Sequence, residues 1–329
     1  PRENCKLFLV SNQINNERYK IPPDVIFKEI KISTQDRNLF GFLSATKSLR
    51  KFILVNKIDV IHTHHRYAEF VTYFTKRLYF LKFIIVSTIH SITYKKYPFQ
   101  HKTNKLISVS NFVKEHLINY HKVGKNKISV IYNFVDASFF YTQEFQFSRH
   151  NEYILFSAGR FHKEKNFICL LKAIRMLNDL NLKLLIIGEG DQKPIYEGYI
   201  RDNDLEGKVK LLNPIPDISK YYIDSDICIL PSLSETLGFF ILEAGLFSKT
   251  VIASNIGGVK EIIDNDINGL LFESDNEEDL ANNIRKALSD IELRHRLGKN
   301  LNLKILNKFN KIIHIQKLST IYVESRTDF

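Results

Sequence analysis

With 329 residues and a net charge of +11, the chain is longer than a usual single domain and basic, so two domains are expected. Hydrophobic residues at 44% and charged residues at 25% give an ordinary globular balance. The three scattered cysteines, Cys5, Cys169 and Cys228, exclude a disulfide framework and fit buried free thiols in a reducing compartment.

No secretory signal and no 18-residue uncharged apolar run is present, which predicts a soluble protein or one attached to a membrane surface. Charge is uneven. Residues 1–140 carry 23 basic against 9 acidic side chains, a net of +14, and residues 141–329 carry 24 against 27, a net of −3. Such asymmetry points the first half toward an anionic partner, an acidic membrane leaflet or a phosphorylated acceptor; a solvated basic face is the alternative. Nucleic acid is disfavoured, because the basic residues are dispersed and no nucleic-acid-binding motif is found.

Short β-branched runs alternate with amphipathic segments, the pattern of βα units and parallel sheets. In chain order the predicted strands are 5–12, 25–32, 59–65, 83–90, 105–110 and 127–133, then 153–159, 182–190, 208–213, 226–232, 249–254 and 268–273. The polar-aromatic stretch 136–152 shows no clean period and reads as a linker. Asp275, with Glu278 three residues later, predicts a capping box opening a helix to about 289. The domains expected are 1–140, 141–308 and a C-terminal helix, 309–329, crossing back to the first.

Two stretches carry chemistry. In PSLSETLGFFILEAG, 231–245, a strand runs through a loop with Gly238 into a helix beginning near Phe239. Gly238 permits a tight turn, and the free N–H groups of the new helix favour an anion such as phosphate. Glu235 and Glu243 suit the hydroxyls of a ribose and a sugar, at the carboxyl ends of strands where open α/β sheets bind ligands; alone, the pair also fits a solvated face. In SAGRFHKEKN, 157–166, Arg160 and Lys165 flank a second helix entrance near Phe167 and would hold a diphosphate, unless both are surface cations. His162, Lys163 and Glu164 read as solvated. His62, His64 and His65 do not suit three-fold metal ligation, since His65 points to the opposite face of the strand. The pair Gly188 and Gly190 lacks the third glycine of a dinucleotide fingerprint, and no Walker loop or Gly-x-Ser-x-Gly elbow occurs.

Together Glu235-x7-Glu243, the upstream GR-x4-K, IIGEGD at 186–191 and NIGGVKEIIDNDINGLLF at 255–272 resemble the retaining GT-B glycosyltransferases, often called glycosyl transferases group 1. DVIHTHH, VSTIHS, ISVSNFVKEHL and ISVIYNFVDASFF look like that family's N-terminal domain. The resemblance implies an α/β fold of two Rossmann-like domains facing each other across a cleft. It implies that Arg160 and Lys165 neutralise the donor diphosphate, Glu243 holds the ribose and Glu235 contacts the donor sugar. The backbone around Gly238, Phe239 and Phe240 would cradle sugar and phosphate, Asn213–Asp217 would lie near the base, and His90 would face the sugar from the other domain.

The same resemblance implies no cofactor and no metal, with a nucleotide diphosphate sugar as donor and a glycan or lipid-linked acceptor. The setting implied is bacterial surface polysaccharide or lipopolysaccharide synthesis, in the cytoplasm or at the inner face of the membrane. Two departures are visible. The chain begins almost directly in what looks like the family's second strand, without the earlier strand and Gly-rich loop, and Thr236 stands where a glycine often follows the first Glu. Other readings are a catalytically silent sugar-nucleotide-binding or scaffold protein and a related sugar-nucleotide epimerase.

Overall fold

The computed structural model describes residues 6–11, 22–32, 38–136 and 152–327. Most of the predicted linker, 137–151, lies outside them, as does Cys5. The chain divides into two compact units, one of Pro1–Val109, Val113–Val130 and Leu318–Phe329, the other of Ser110–Phe112 and Ile131–Lys317.

The first unit contains a parallel pair, β1 (Leu7–Ser11) and β2 (Val25–Glu29), and a parallel four-stranded sheet in the order β3-β4-β5-β6. Its strands are β3 (Val60–Thr63), β4 (Ile84–Ile89), β5 (Lys105–Ser108) and β6 (Ile128–Val130). Helices α1 (Leu39–Asn56) and α2 (Arg66–Leu78) cover one core with Ala45, Leu49, Ile53 and Val71 against Phe83 and Ile85. Leu106 and Ile128 pack in a second core with Val113 and Leu117 of α3 (Asn111–Asn119).

The second unit is a six-stranded parallel sheet in the order β12-β11-β10-β7-β8-β9. The strands are β7 (Tyr153–Ala158), β8 (Leu182–Ile187), β9 (Val209–Leu212), β10 (Ile227–Leu230), β11 (Thr250–Ser254) and β12 (Leu270–Phe272). Alternation along each strand sends residues to two cores. Leu155, Leu184, Ile186, Ile227 and Ile229 face one, with α4 (Phe167–Arg175) and α8 (Glu277–Ser289). Phe156, Cys228, Leu230, Val251 and Ala253 face the other, with α7 (Phe239–Leu246) and α9 (Ile291–Lys308). Burial on both faces is why these strands read as continuous apolar runs rather than alternating ones. Helices α5 (Lys193–Asp202) and α6 (Ser219–Asp224) complete the crossovers, and α10 (Lys311–Thr327) ends the described chain.

All twelve predicted strands have counterparts. The predicted cap at Asp275 is corrected by one residue. Asn276, with extended backbone, caps α8 by accepting from Asp279 N–H at 3.0 Å, whereas Asp275 adopts φ +63° and accepts from Asn166 Nδ2 at 2.9 Å. Both side chains accept hydrogen bonds; the backbone conformation decides which of them is the cap. Cys169 and Cys228 are buried, and burial pushes both thiols up to about 12.

Candidate active site

At the exit of β7 the chain is pinned from both sides of Arg160. Gly159 N–H donates to Ile187 O at 3.0 Å, Phe161 N–H donates to Glu189 O at 2.6 Å, and the Phe161 ring is buried. A Cβ on Gly188 would lie 2.0 Å from the Gly159 carbonyl oxygen, so only glycine lets the β8 exit press against the β7 exit. The glycines of IIGEGD thus serve loop-on-loop packing. Arg160 stays exposed, as do His162, Lys163 and Glu164. Residues Lys163–Lys165 form a 3-10 turn, and Asn166 at φ 50° passes the chain into α4.

The exit of β10 lies against this turn, with Leu233 N–H donating to Glu164 O at 2.8 Å. Lys165 Nζ forms an ion pair with Glu235 Oε1, which also accepts from Ser232 Oγ at 2.9 Å. Gly258 N–H holds the Glu235 carbonyl at 3.0 Å. Gly238 then takes φ 103°, opening α7 with no side-chain cap, so the first N–H groups of the helix remain available to a ligand. Phe239 is exposed, whereas Phe240 is buried beside Phe156 and Tyr222, leaving only its backbone on the open side.

Glu243 lies in the second turn of α7, and the buried Tyr222 hydroxyl donates to its Oε2 at 2.6 Å. Burial raises the Glu243 carboxyl, and the Tyr222 bond opposes that rise. In the Asn213–Asp217 loop, Lys193 Nζ donates to Asn213 Oδ1 at 3.2 Å. Asp217 is held below the usual carboxylate range by its bond from Ser219 at the start of α6. The structure therefore brings Lys165 and Glu235 together, sets Gly238 beside them in sequence, and leaves Arg160 without an ion-pair partner among the described residues. Ser232 and Tyr222 escaped the sequence reading. Tyr222 is 21 residues from Glu243, and nothing in the local pattern links them.

In the first unit, His90 follows β4 and its Nε2 lies 3.1 Å from His64 Nδ1. His62 is held by Thr88 Oγ1 at 2.7 Å and by Tyr322 OH at 2.6 Å, and His65 caps α2. No group of three or more His, Cys, Asp or Glu placed to hold a metal occurs among the described residues.

The family model for glycosyl transferases group 1 matches residues 141–303, and that for glycosyltransferase family 4 matches residues 3–139. The chain belongs to the group 1 glycosyltransferases. It is 27% identical to UDP-Gal:alpha-D-GlcNAc-diphosphoundecaprenol alpha-1,3-galactosyltransferase of Escherichia coli over 84% of this chain and 78% of that protein. A crystal structure of a Rickettsia africae glycosyltransferase superposes with TM-score 0.86 at 24% identity, covering 98% of this chain and 90% of that one. Anabaena HepE in complex with UDP and glucose gives TM-score 0.78 at 19% identity, covering 91% and 86%. The fold of this group 1 glycosyltransferase is two Rossmann-like α/β domains.

Proposed function

We propose that this glycosyltransferase moves a sugar from a nucleotide diphosphate sugar to a hydroxyl of a glycan or lipid-linked acceptor in surface polysaccharide synthesis, with retention at the anomeric carbon. The observation that carries the reading is the Lys165–Glu235 ion pair, which joins the GR-x4-K loop after β7 to the loop that opens α7. Arg160 and Lys165, with the uncapped N-terminus of α7, bind the diphosphate and stabilise the charge that grows as it leaves. On binding, Lys165 is shared between Glu235 and phosphate, and Glu235 is set to accept from a sugar hydroxyl. Glu243, oriented by Tyr222, accepts from the ribose. His90 is assigned to the transferred sugar on the family motif. These cations do the work of a divalent metal, so the reading includes none.

Two similarities favour this choice of substrates: HepE is in complex with UDP and glucose, and the E. coli relative is named for a diphosphoundecaprenol acceptor. We further infer attachment to an anionic membrane surface. No described helix is long and apolar enough to cross a membrane, but α1 exposes Leu39, Phe40, Leu43, Leu54 and Val55 alongside Lys47, Arg50 and Lys51, a composition that suits an interfacial helix.

A thermal-shift screen of UDP-, GDP-, ADP- and CMP-sugars tests the donor, and NMR of the product tests the configuration. One sugar nucleotide should protect the wild type and lose its effect in Lys165→Ala. Protection by none of them, or an inverted product, overturns the reading.

A further inference from the structure

The motif NIGGVKEIIDNDINGLLF does more in the second unit than lead into β12. Its 3-10 turn, Gly257–Glu261, ends in a half-buried carboxylate. Glu261 Oε2 accepts from Asn111 N–H at 2.9 Å, from Asn111 Nδ2 at 2.8 Å and from the Tyr132 hydroxyl at 2.8 Å. Its Oε1 accepts from Phe112 N–H at 2.8 Å. An ionised carboxylate has about four lone-pair sites, so these donors use its accepting capacity. Burial raises the Tyr132 hydroxyl and the bond to Glu261 raises it further, so it stays a donor at neutral pH. Lys308 Nζ lies 4.7 Å from the centre of the Tyr132 ring. The chain enters the second unit at Ser110 and again at Ile131, and this one side chain holds both entering segments.

The same turn presses on the loop that carries Glu235. Gly257 has φ 35°, and a Cβ there would lie 2.4 Å from the Glu235 carbonyl oxygen and 3.1 Å from Cε1 of the Phe112 ring. A Cβ on Gly258 would lie 2.1 Å from the Thr236 carbonyl oxygen, and the Gly258 N–H holds the Glu235 carbonyl at 3.0 Å. The turn thus touches the Phe112 ring and the Glu235–Thr236 backbone at once. A carboxylate that served only to close the start of α3 would need the Asn111 and Phe112 N–H groups alone. It would not need a Phe112 ring seated on the glycine beneath the Glu235 carbonyl.

We propose that Glu261 is a positioning residue for sugar transfer, which sets Glu235 at the donor sugar through Phe112 and the Gly257–Gly258 turn. The proposal rests on the glycosyltransferase reading above, in which Glu235 meets the sugar. Arg160, Lys165, Glu243 and the start of α7 meet the nucleotide. Hydrogen bonds between a carboxylate and a hydroxyl hold only over a few tenths of an ångström in length. Loosening the turn therefore costs contact with the sugar and spares the contacts to the diphosphate and ribose.

Calorimetric titration of the full chain with UDP, GDP, UDP-glucose, UDP-galactose and GDP-mannose tests this. The wild type should bind at least one sugar nucleotide more tightly than the matching bare diphosphate. Glu261→Ala and Phe112→Ala should each weaken that sugar nucleotide about tenfold or more, while the bare diphosphate stays within about threefold. Glu261→Gln keeps the shape and one accepting oxygen and should fall between. It also gives the answer where an alanine variant fails to fold. Equal losses for sugar nucleotide and bare diphosphate would mark a merely structural cap and overturn the proposal, as would no loss for either or a wild type without preference for the sugar. If the wild type binds nucleotides and the variants keep its selectivity, the role of Glu261 alone is lost. Failure of the wild type to bind any of these nucleotides sinks the glycosyltransferase reading, and this proposal with it.

Discussion

Glu243 is held by a single neutral donor, Tyr222, in a setting where burial already disfavours its charge. Removing that donor should therefore cost more than its contact suggests, since a desolvated carboxylate would be left unsatisfied. Tyr222→Phe is expected to weaken nucleotide binding about tenfold and to raise the Glu243 carboxyl further, so that the loss is largest on the acid side. Calorimetric titration of UDP at two pH values checks this; equal affinity for both proteins at both values would refute it. Glu69 gives a second prediction at this scale. Its folded value of about 7 lies above the ordinary carboxyl value of 4.5, so its contribution to stability is full below the unfolded value and lost as pH rises through about 7. Glu69→Gln should therefore gain stability relative to wild type near pH 8, on the order of 3 kcal/mol at most, and show no such gain near pH 4. Denaturant unfolding at the two pH values measures the difference. Neither Tyr222 nor Glu69 was legible in the sequence, because each owes its role to burial and to partners far along the chain.

Elements were far more legible than these pairings. Runs such as LKLLII and TVIAS are apolar throughout because both sheet faces are covered, and they became β8 and β11. Gly238 and the helix starts at Phe239 and Phe167 were legible for the same local reasons of turn and period. The Asp275 cap slipped by one residue because neighbouring Asp and Asn are chemically equivalent caps until the backbone is known. Asn276→Ala should cost about 1 kcal/mol through the lost cap. Gly188 is the harsher site. Gly188→Ala would drive a methyl into the Gly159 carbonyl and the buried Phe161 ring, with backbone rather than a flexible side chain in the way. We expect a loss of about 1–3 kcal/mol or more, together with weakened nucleotide binding, because Arg160 hangs between the two anchors that Gly188 allows. Urea unfolding and a UDP thermal shift on the same variant check both halves of that expectation.

At the scale of the whole molecule, the charge asymmetry and the exposed side chains of α1 both bear on the membrane attachment proposed above. Net charge alone does not place a protein on a membrane, since solvated basic faces are common. Exposed apolar side chains at the two ends of α1 change the argument. Phe40 is 84% exposed and Leu39 68%, and burying a side chain of that size contributes roughly 1.5–3 kcal/mol. Each nearby Lys or Arg adds about 1 kcal/mol on an anionic leaflet, screened by salt. The two contributions separate by experiment. Phe40→Ser combined with Leu43→Ser should lower partitioning onto anionic vesicles by about tenfold or more at any ionic strength. Raising salt should release the wild type only in part, because the apolar contribution survives screening. Sedimentation with anionic and neutral vesicles reads both effects. Equal binding to the two vesicle types would show that the basic half of the chain does not read an anionic surface, and indifference to the double substitution would show that this helix face does not enter the lipid.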